Sequence, residues 1–377
     1  MRVTHLAGPT LAGALVAALL LIIAVQRRPG GASDVLAVRG ADISFTLQEE
    51  AAGTTLSDGL RHLPLEHILA AHGGNYVRLR VWVNPPAGYS DEQAVLTLAR
   101  RAKNAGLKIL LAPQYSDFWA DPHAQEPPEA WRGEDLATMK KTIREYTRDL
   151  VAKLAAQGTP INMIQIGNEI TNGILWPVGS VRDGTTKEWS NLAALVNSAI
   201  DGAREGAPRG HLPVVLHIDS GGDIGRSRYF FDSLLHAGVT SFDVIGLSYY
   251  PFWNGSLSDL RANLAVLAAR YHRKILITET AYPWTMSGAK AGDWVTSARQ
   301  LPDAQSLPAT PAGQEQYFRQ LRQILRDVPD HRGLGFLDWE PGWLTVPPKP
   351  GELPPAANLA MFDQHGVALP SIDAFAR

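Results

Sequence analysis

Eight short apolar runs recur along this chain with helical stretches between them, and few folds accommodate that rhythm. The runs cover residues 35–45, 76–81, 108–112, 163–167, 214–218, 244–248, 275–278 and 334–337. Between them, apolar residues return at i, i+3 and i+4 over 92–104, 136–157, 191–205, 257–271 and 315–328. Asn104-Ala105-Gly106 and Gln157-Gly158 mark helix exits, where glycine supplies the left-handed cap. Strands alternating with helices pair in parallel, and eight repeats of one βα unit favour closure. The expected class is α/β, a single (β/α)8 TIM barrel. An open doubly wound sheet is the runner-up, but no glycine-rich phosphate turn follows any run.

The N-terminus stands apart from this pattern. Arg2 and His5 precede an apolar run from Leu11 to Val25, and Gln26-Arg27-Arg28-Pro29-Gly30-Gly31 follows at once. That arrangement resembles a secretory signal or an uncleaved membrane anchor, so residues 1–33 are assigned to it with a linker, and 34–377 to the barrel. Export follows: a secreted, periplasmic or outer-face protein, with membrane anchorage open and a monomer expected. The net charge of −2 carries no basic stripe, which argues against nucleic acid. With no cysteine in the chain, disulfides, thiolate catalysis and thiolate metal sites are excluded.

Two glutamates close apolar strands. Glu169 ends Ile164-Gln165-Ile166-Gly167-Asn168-Glu169, and Glu279 ends Ile275-Leu276-Ile277-Thr278-Glu279. At the C-terminal rim of a barrel both would face one cleft. Two carboxyl groups, one protonated and one ionised, are what glycosidic cleavage requires. In the second strand Arg78, Arg80 and Trp82 share a face, and an arginine on the interior face needs a carboxylate, for which Glu279 is the candidate. Ser248-Tyr249-Tyr250 offers a phenol for the same carboxylate, and Trp339 a floor for the sugar. Most of the ten tryptophans fall in loops after strands, among them Trp119, Trp131, Trp176 and Trp284, which suits a cleft for sugar rings.

The residues carry a resemblance. Gly40-Ala41-Asp42-Ile43-Ser44, Arg80-Val81-Trp82-Val83-Asn84-Pro85, Tyr115-Ser116-Asp117-Phe118-Trp119-Ala120-Asp121-Pro122, Gly167-Asn168-Glu169-Ile170, Leu175-Trp176-Pro177, Ser248-Tyr249-Tyr250-Pro251-Phe252, Glu279-Thr280-Ala281-Tyr282-Pro283-Trp284 and Trp339-Glu340-Pro341 resemble glycoside hydrolase family 53, the arabinogalactan endo-β-1,4-galactanases. The matches run in order from about residue 38 to the C-terminus. The resemblance implies a retaining enzyme of a (β/α)8 clan with Glu169 as acid/base and Glu279 as nucleophile. It implies that Asn168 contacts the sugar 2-hydroxyl, that Arg80 and Tyr249 position the nucleophile, and that Trp339 floors the central subsite. Asp42, Trp176, His217 and Asp219 match groove positions, and Asp117, Trp119 and Trp284 fall within the motifs and join them. Members usually carry Asp-x-His at the end of strand three, whereas this chain reads Ala112-Pro113-Gln114. Gln114 offers a donor and an acceptor to a hydroxyl, but a different grip. No cofactor and no metal are carried over. Two alternatives stay open: a glycosidase of the same fold for another β-linked polysaccharide, and a silent glycan-binding surface protein.

Overall fold

The computed structural model describes residues 35–85, 89–207, 210–346 and 356–377. The signal or anchor expected over 1–33, and the boundary drawn after it, lie outside the described residues. Eight strands form a closed parallel barrel: β1 Val38–Asp42, β2 Tyr76–Val81, β3 Lys108–Pro113, β4 Met163–Ile166, β5 Val214–Ile218, β6 Val244–Ser248, β7 Lys274–Thr280 and β8 Gly333–Trp339. Each strand pairs with its neighbour in sequence, and β1 pairs with β8 to close the ring. The runner-up open sheet is excluded. The first run is shorter than its apolar stretch because Asp42 turns the chain: its Oδ1 accepts from the Ser44 N–H at 3.0 Å.

The outer ring holds α1 Leu65–Ala71, α2 Glu92–Asn104, α3 Leu136–Ala156, α4 Thr186–Gly206, α5 Ile224–His236, α6 Leu257–Tyr271 and α7 Pro311–Arg326. The starts of α2 to α7 follow from capping side chains: Asp91, Asp135, Thr185, Asp223, Ser256 and Thr310 each accept from a backbone N–H of the first turn, while α1 follows Pro64 without a side-chain cap. Helix α1 is only two turns long, and α5 carries the run Tyr229-Phe230-Phe231, so neither shows a clean apolar stripe in sequence.

What positions the site is the layering of the barrel interior. Val38, Tyr76, Leu110, Met163, Val215, Val244, Leu276 and Leu337 belong to one apolar cluster. By the period of two, the next inward positions along the strands are Gly40, Arg78, Ala112, Gln165, His217, Gly246, Thr278 and Trp339. The barrel is therefore plugged with hydrocarbon at one end and polar toward its C-terminal mouth. Glycine is required at Gly40, where a Cβ would stand 1.8 Å from the Tyr76 carbonyl oxygen.

Candidate active site

Arg78 stands at the centre of the mouth, fully buried, and collects the groups around it. Its Nη1 lies 2.6 Å from Asp42 Oδ2 and 2.8 Å from Glu279 Oε1. Its Nη2 donates to Asn168 Oδ1 at 2.6 Å and its Nε to Gln165 Oε1 at 3.1 Å. The burial penalty of such a cation is offset only because carboxylates and amide oxygens surround the whole guanidinium. The Arg80 and Arg78 guanidiniums and Ser44 hold Asp42 below the usual carboxylate range, although burial acts against them.

The expectation that Arg80 positions the nucleophile is corrected by this geometry: the arginine on Glu279 is Arg78. The two share a face but differ in depth by two residues, about 6.6 Å along a strand. The deeper side chain reaches up under the mouth. Arg80 starts nearer the rim and runs into the aromatic wall, with Nη2 3.0 Å from Glu340 Oε1 and its guanidinium carbon 4.5 Å from the Trp119 ring centre. The tyrosine is corrected in the same way. Tyr250 donates to Glu279 Oε2 at 3.1 Å, whereas the Tyr249 hydroxyl donates to the Gly255 carbonyl at 2.9 Å. Alternation explains it, since Tyr250 shares the inward face of Ser248 and Tyr249 points into the helix layer.

Glu279 lies within β7, where the register with β8 shifts between Ile277 and Thr280. That irregularity turns the carboxylate into the mouth, as bulges near active sites do. Burial raises its pKa, while Arg78 and the Tyr250 hydroxyl pull it back. The net direction is upward, so the guanidinium moderates the burial effect and does not reverse it.

Glu169 is held differently. It follows β4 with backbone φ 48° and ψ 49°, and its N–H donates to His217 Nδ1 at 3.4 Å. Burial, then the charges of Glu279 and Asp219, push its pKa well above the usual value, with a hydrogen bond from Ser248 opposing. Among the described residues no guanidinium forms an ion pair with it. Of the two carboxyls, Glu169 is therefore the one whose surroundings favour the protonated form more. His217 is fully buried and held neutral, by burial first and then by Arg78. Because its Nδ1 accepts from Glu169, its Nε2 carries the hydrogen toward Ser248 Oγ at 2.9 Å. Tyr115, Glu169 and Glu340, after β3, β4 and β8, all adopt positive φ, at 56°, 48° and 51°. Such strain in residues other than glycine costs about 1–3 kcal/mol each and collects where a site imposes it.

The other expected groove residues are placed unevenly. Asn168 and Asp42 contact Arg78, as described. Asp219 accepts from Thr171 and, through Oδ2, from Arg226 at 3.3 Å, and it lies close enough to act on Glu169. Gln114 is buried beside Trp82 and Ala120. Trp119 lies 5.0 Å from Trp82 and 6.2 Å from Trp339 in the aromatic wall. Trp176 has one face covered, by Arg182 at 3.6 Å from the ring centre. Asp117 braces loops: its two oxygens accept from the backbone N–H groups of Asn84 and Glu129 at 2.9 and 2.8 Å. Trp284 is tied to the segment behind it, its backbone N–H donating to the Asn358 carbonyl at 2.9 Å and its indole N–H to the Ala357 carbonyl at 3.4 Å.

Trp339, 5% exposed, is covered by a residue that sequence reasoning missed. Trp294, from the loop after β7, lies 4.7 Å from it at 32° and 5.0 Å from the exposed Trp253. Arg78 and Tyr250 stood among the candidates read from the strand faces, and the resemblance singled out Arg80 and Tyr249 instead; Ser248 and Glu340 were missed as site residues. Face alternation could have found Ser248, and nothing in the local sequence signals Trp294. Among the described residues no group of three His, Cys, Asp or Glu side chains could hold a metal ion.

The profile of glycosyl hydrolase family 53 matches residues 38–375. A probable arabinogalactan endo-β-1,4-galactanase A from Aspergillus terreus is 38% identical over 83% of this chain and 87% of its own length. An arabinogalactan endo-β-1,4-galactanase from Thermothelomyces thermophilus is 34% identical over 91% and 99%. Among solved structures, a family 53 catalytic domain from Ignisphaera aggregans superposes with TM-score 0.84 at 32% identity, over 92% of this chain and 97% of that one. One of two fungal β-1,4-galactanases gives TM-score 0.80 at 33% identity, over 90% and 99%.

Proposed function

This chain belongs to glycosyl hydrolase family 53, and we propose that it is a retaining endo-acting hydrolase of β-1,4-galactan. The observation that carries the reading is the asymmetry of the two buried glutamates. Glu279 is ion-paired with Arg78 at 2.8 Å and bonded by Tyr250 at 3.1 Å, so it is the one supplied with positive charge for an ionised state. Glu169 lacks such a partner and is pushed well above the usual carboxyl range by burial. One carboxylate and one carboxylic acid are the reactants of double displacement.

In the first step the Glu169 proton passes to the glycosidic oxygen as that bond breaks, and Glu279 bonds to the anomeric carbon. Glu169, now ionised, takes a proton from water. The water oxygen bonds to the anomeric carbon, and the ester to Glu279 breaks. Asn168 meets the 2-hydroxyl, a contact that strengthens as charge develops on the ring. Asp42, Gln114, Trp119, Trp176, His217, Asp219 and Trp339 surround the sugar or hold groups that do. Export through residues 1–33 accords with a polymeric substrate met outside the cell.

The test is release of reducing ends from linear β-1,4-galactan, with Glu279→Gln as control. The reading expects short oligosaccharides and loss of activity in the variant. Because Gln114 stands where the related enzymes usually carry histidine, another β-linked polysaccharide is the second reading, and a panel of such glycans separates the two. Folded protein inactive on galactan but active on another panel member would overturn the first reading.

A further inference from the structure

We propose that Gln114 is a positioning residue that orients Asn168 through the backbone of Ala120. The idea rests on the proposed contact between Asn168 and the sugar 2-hydroxyl. Gln114 is 2% exposed, and its Oε1 accepts from Trp82 Nε1 at 2.6 Å and from the Ala120 N–H at 3.1 Å. An amide oxygen has two lone pairs, so this acceptor is fully occupied. The two donors also fix which way the amide faces, because a flip would set its NH2 against them. Of the donor and acceptor expected for a hydroxyl, only the donor remains.

The other end of the Ala120 residue meets Asn168, whose Nδ2 donates to the Ala120 carbonyl at 2.8 Å. Asn168 Oδ1 accepts from Arg78 at 2.6 Å and from Gln165 at 3.2 Å. Three of the four hydrogen-bonding positions of this carboxamide are therefore held by protein, leaving one N–H for the cleft. Arg78 and Gln165 rise from the barrel floor and hold the oxygen. Among the described residues Ala120 holds the nitrogen, and it lies in the loop beyond β3, where no strand ladder fixes it. The next loop residues grip the same point, as Gln125 Nε2 donates to both the Asn168 carbonyl at 2.7 Å and the Asp121 carbonyl at 3.0 Å. Without the Gln114 acceptor the Ala120 N–H is buried and unpaired, and a buried donor in that state turns the loop toward water. The chain Trp82–Gln114–Ala120–Asn168 thus sets the angle at which the last N–H meets the sugar.

The test compares kcat/KM for an aryl β-galactobioside and for its counterpart lacking the 2-hydroxyl on the reacting ring. The ratio of the two isolates that hydroxyl. Gln114→Met keeps the bulk and removes the acceptor; Gln114→Glu keeps an acceptor. In Asn168→Ala the wild-type ratio should collapse. In Gln114→Met it should fall about tenfold toward that of Asn168→Ala, the loss of one well-aligned contact. Gln114→Glu should hold it within about threefold of wild type, whatever its charge does to the absolute rate. A Gln114→Met ratio equal to wild type, with both substrates slowed alike, overturns the positioning role. An unchanged ratio in Asn168→Ala instead overturns the 2-hydroxyl reading itself, and this proposal with it.

Discussion

At the scale of single residues, catalysis turns on which carboxyl carries the proton and which groups hold the other. Glu169→Ala should cut turnover of galactan about 10²–10⁴-fold, the usual worth of a general acid. An aryl galactoside with a good leaving group needs little protonation and should lose less, so comparing the two substrates checks the role. The pH profile follows in sign. Activity needs Glu169 protonated, so it is lost as pH rises through that group's raised pKa, and it needs Glu279 ionised, so it is lost on the acid side. Glu169→Ala should remove the alkaline limb alone. Tyr250→Phe should lower kcat about tenfold, whereas Tyr249→Phe should leave kcat and cost about 1 kcal/mol of stability, read by denaturant titration. Much of this site was legible before the fold was. Glu169, Glu279, Asn168 and Asp42 sit where strand ends put them. The nucleophile-holding role was given to Arg80 and Tyr249, two residues and one residue from Arg78 and Tyr250, because adjacent candidates of one type differ only in depth or face, and depth is set by the closed barrel.

At the scale of elements, strand and helix periodicity located all eight strands, since each is a buried parallel strand and most carry a nearly continuous apolar run, β2 with its alternating arginines being the exception. The loops were less legible. Trp294 reaches Trp339 from the long β7 loop, a contact that no local pattern encodes. A second contact between distant elements makes a test. His72, just past α1, faces Asp373 Oδ1 through Nδ1 at 2.7 Å and Asp58 Oδ2 through Nε2 at 3.2 Å. Only the imidazolium can donate to both. Burial opposes the charge, but the two aspartates raise the pKa of the folded state. The clamp is therefore fully present below the unfolded pKa of about 6.5 and is lost as pH rises through the higher folded value. His72→Gln should lower Tm more at pH 5.5 than at pH 9, and equal losses at both would contradict the clamp.

At the scale of the whole molecule, the barrel separates stability from chemistry: hydrocarbon plugs one end, and buried charge is assembled at the other. Asp338 breaks that division. It is fully buried, and burial pushes its pKa well above the usual range against the pull of the Trp339 backbone N–H. A raised folded pKa destabilises from the unfolded value of about 3.9 upward, as the cost of keeping the proton grows with pH. Asp338→Leu should raise Tm, by more at pH 7 than at pH 4, on differential scanning calorimetry. On the proposed reading this barrel places one acid and one arginine-held nucleophile across a single glycosidic bond. The most direct measurement is proton NMR of the first product formed from galactan, recorded before mutarotation. A β-anomer is expected, since two displacements restore configuration. An α-anomer would mean that water attacks directly, and Glu279 would not be a nucleophile.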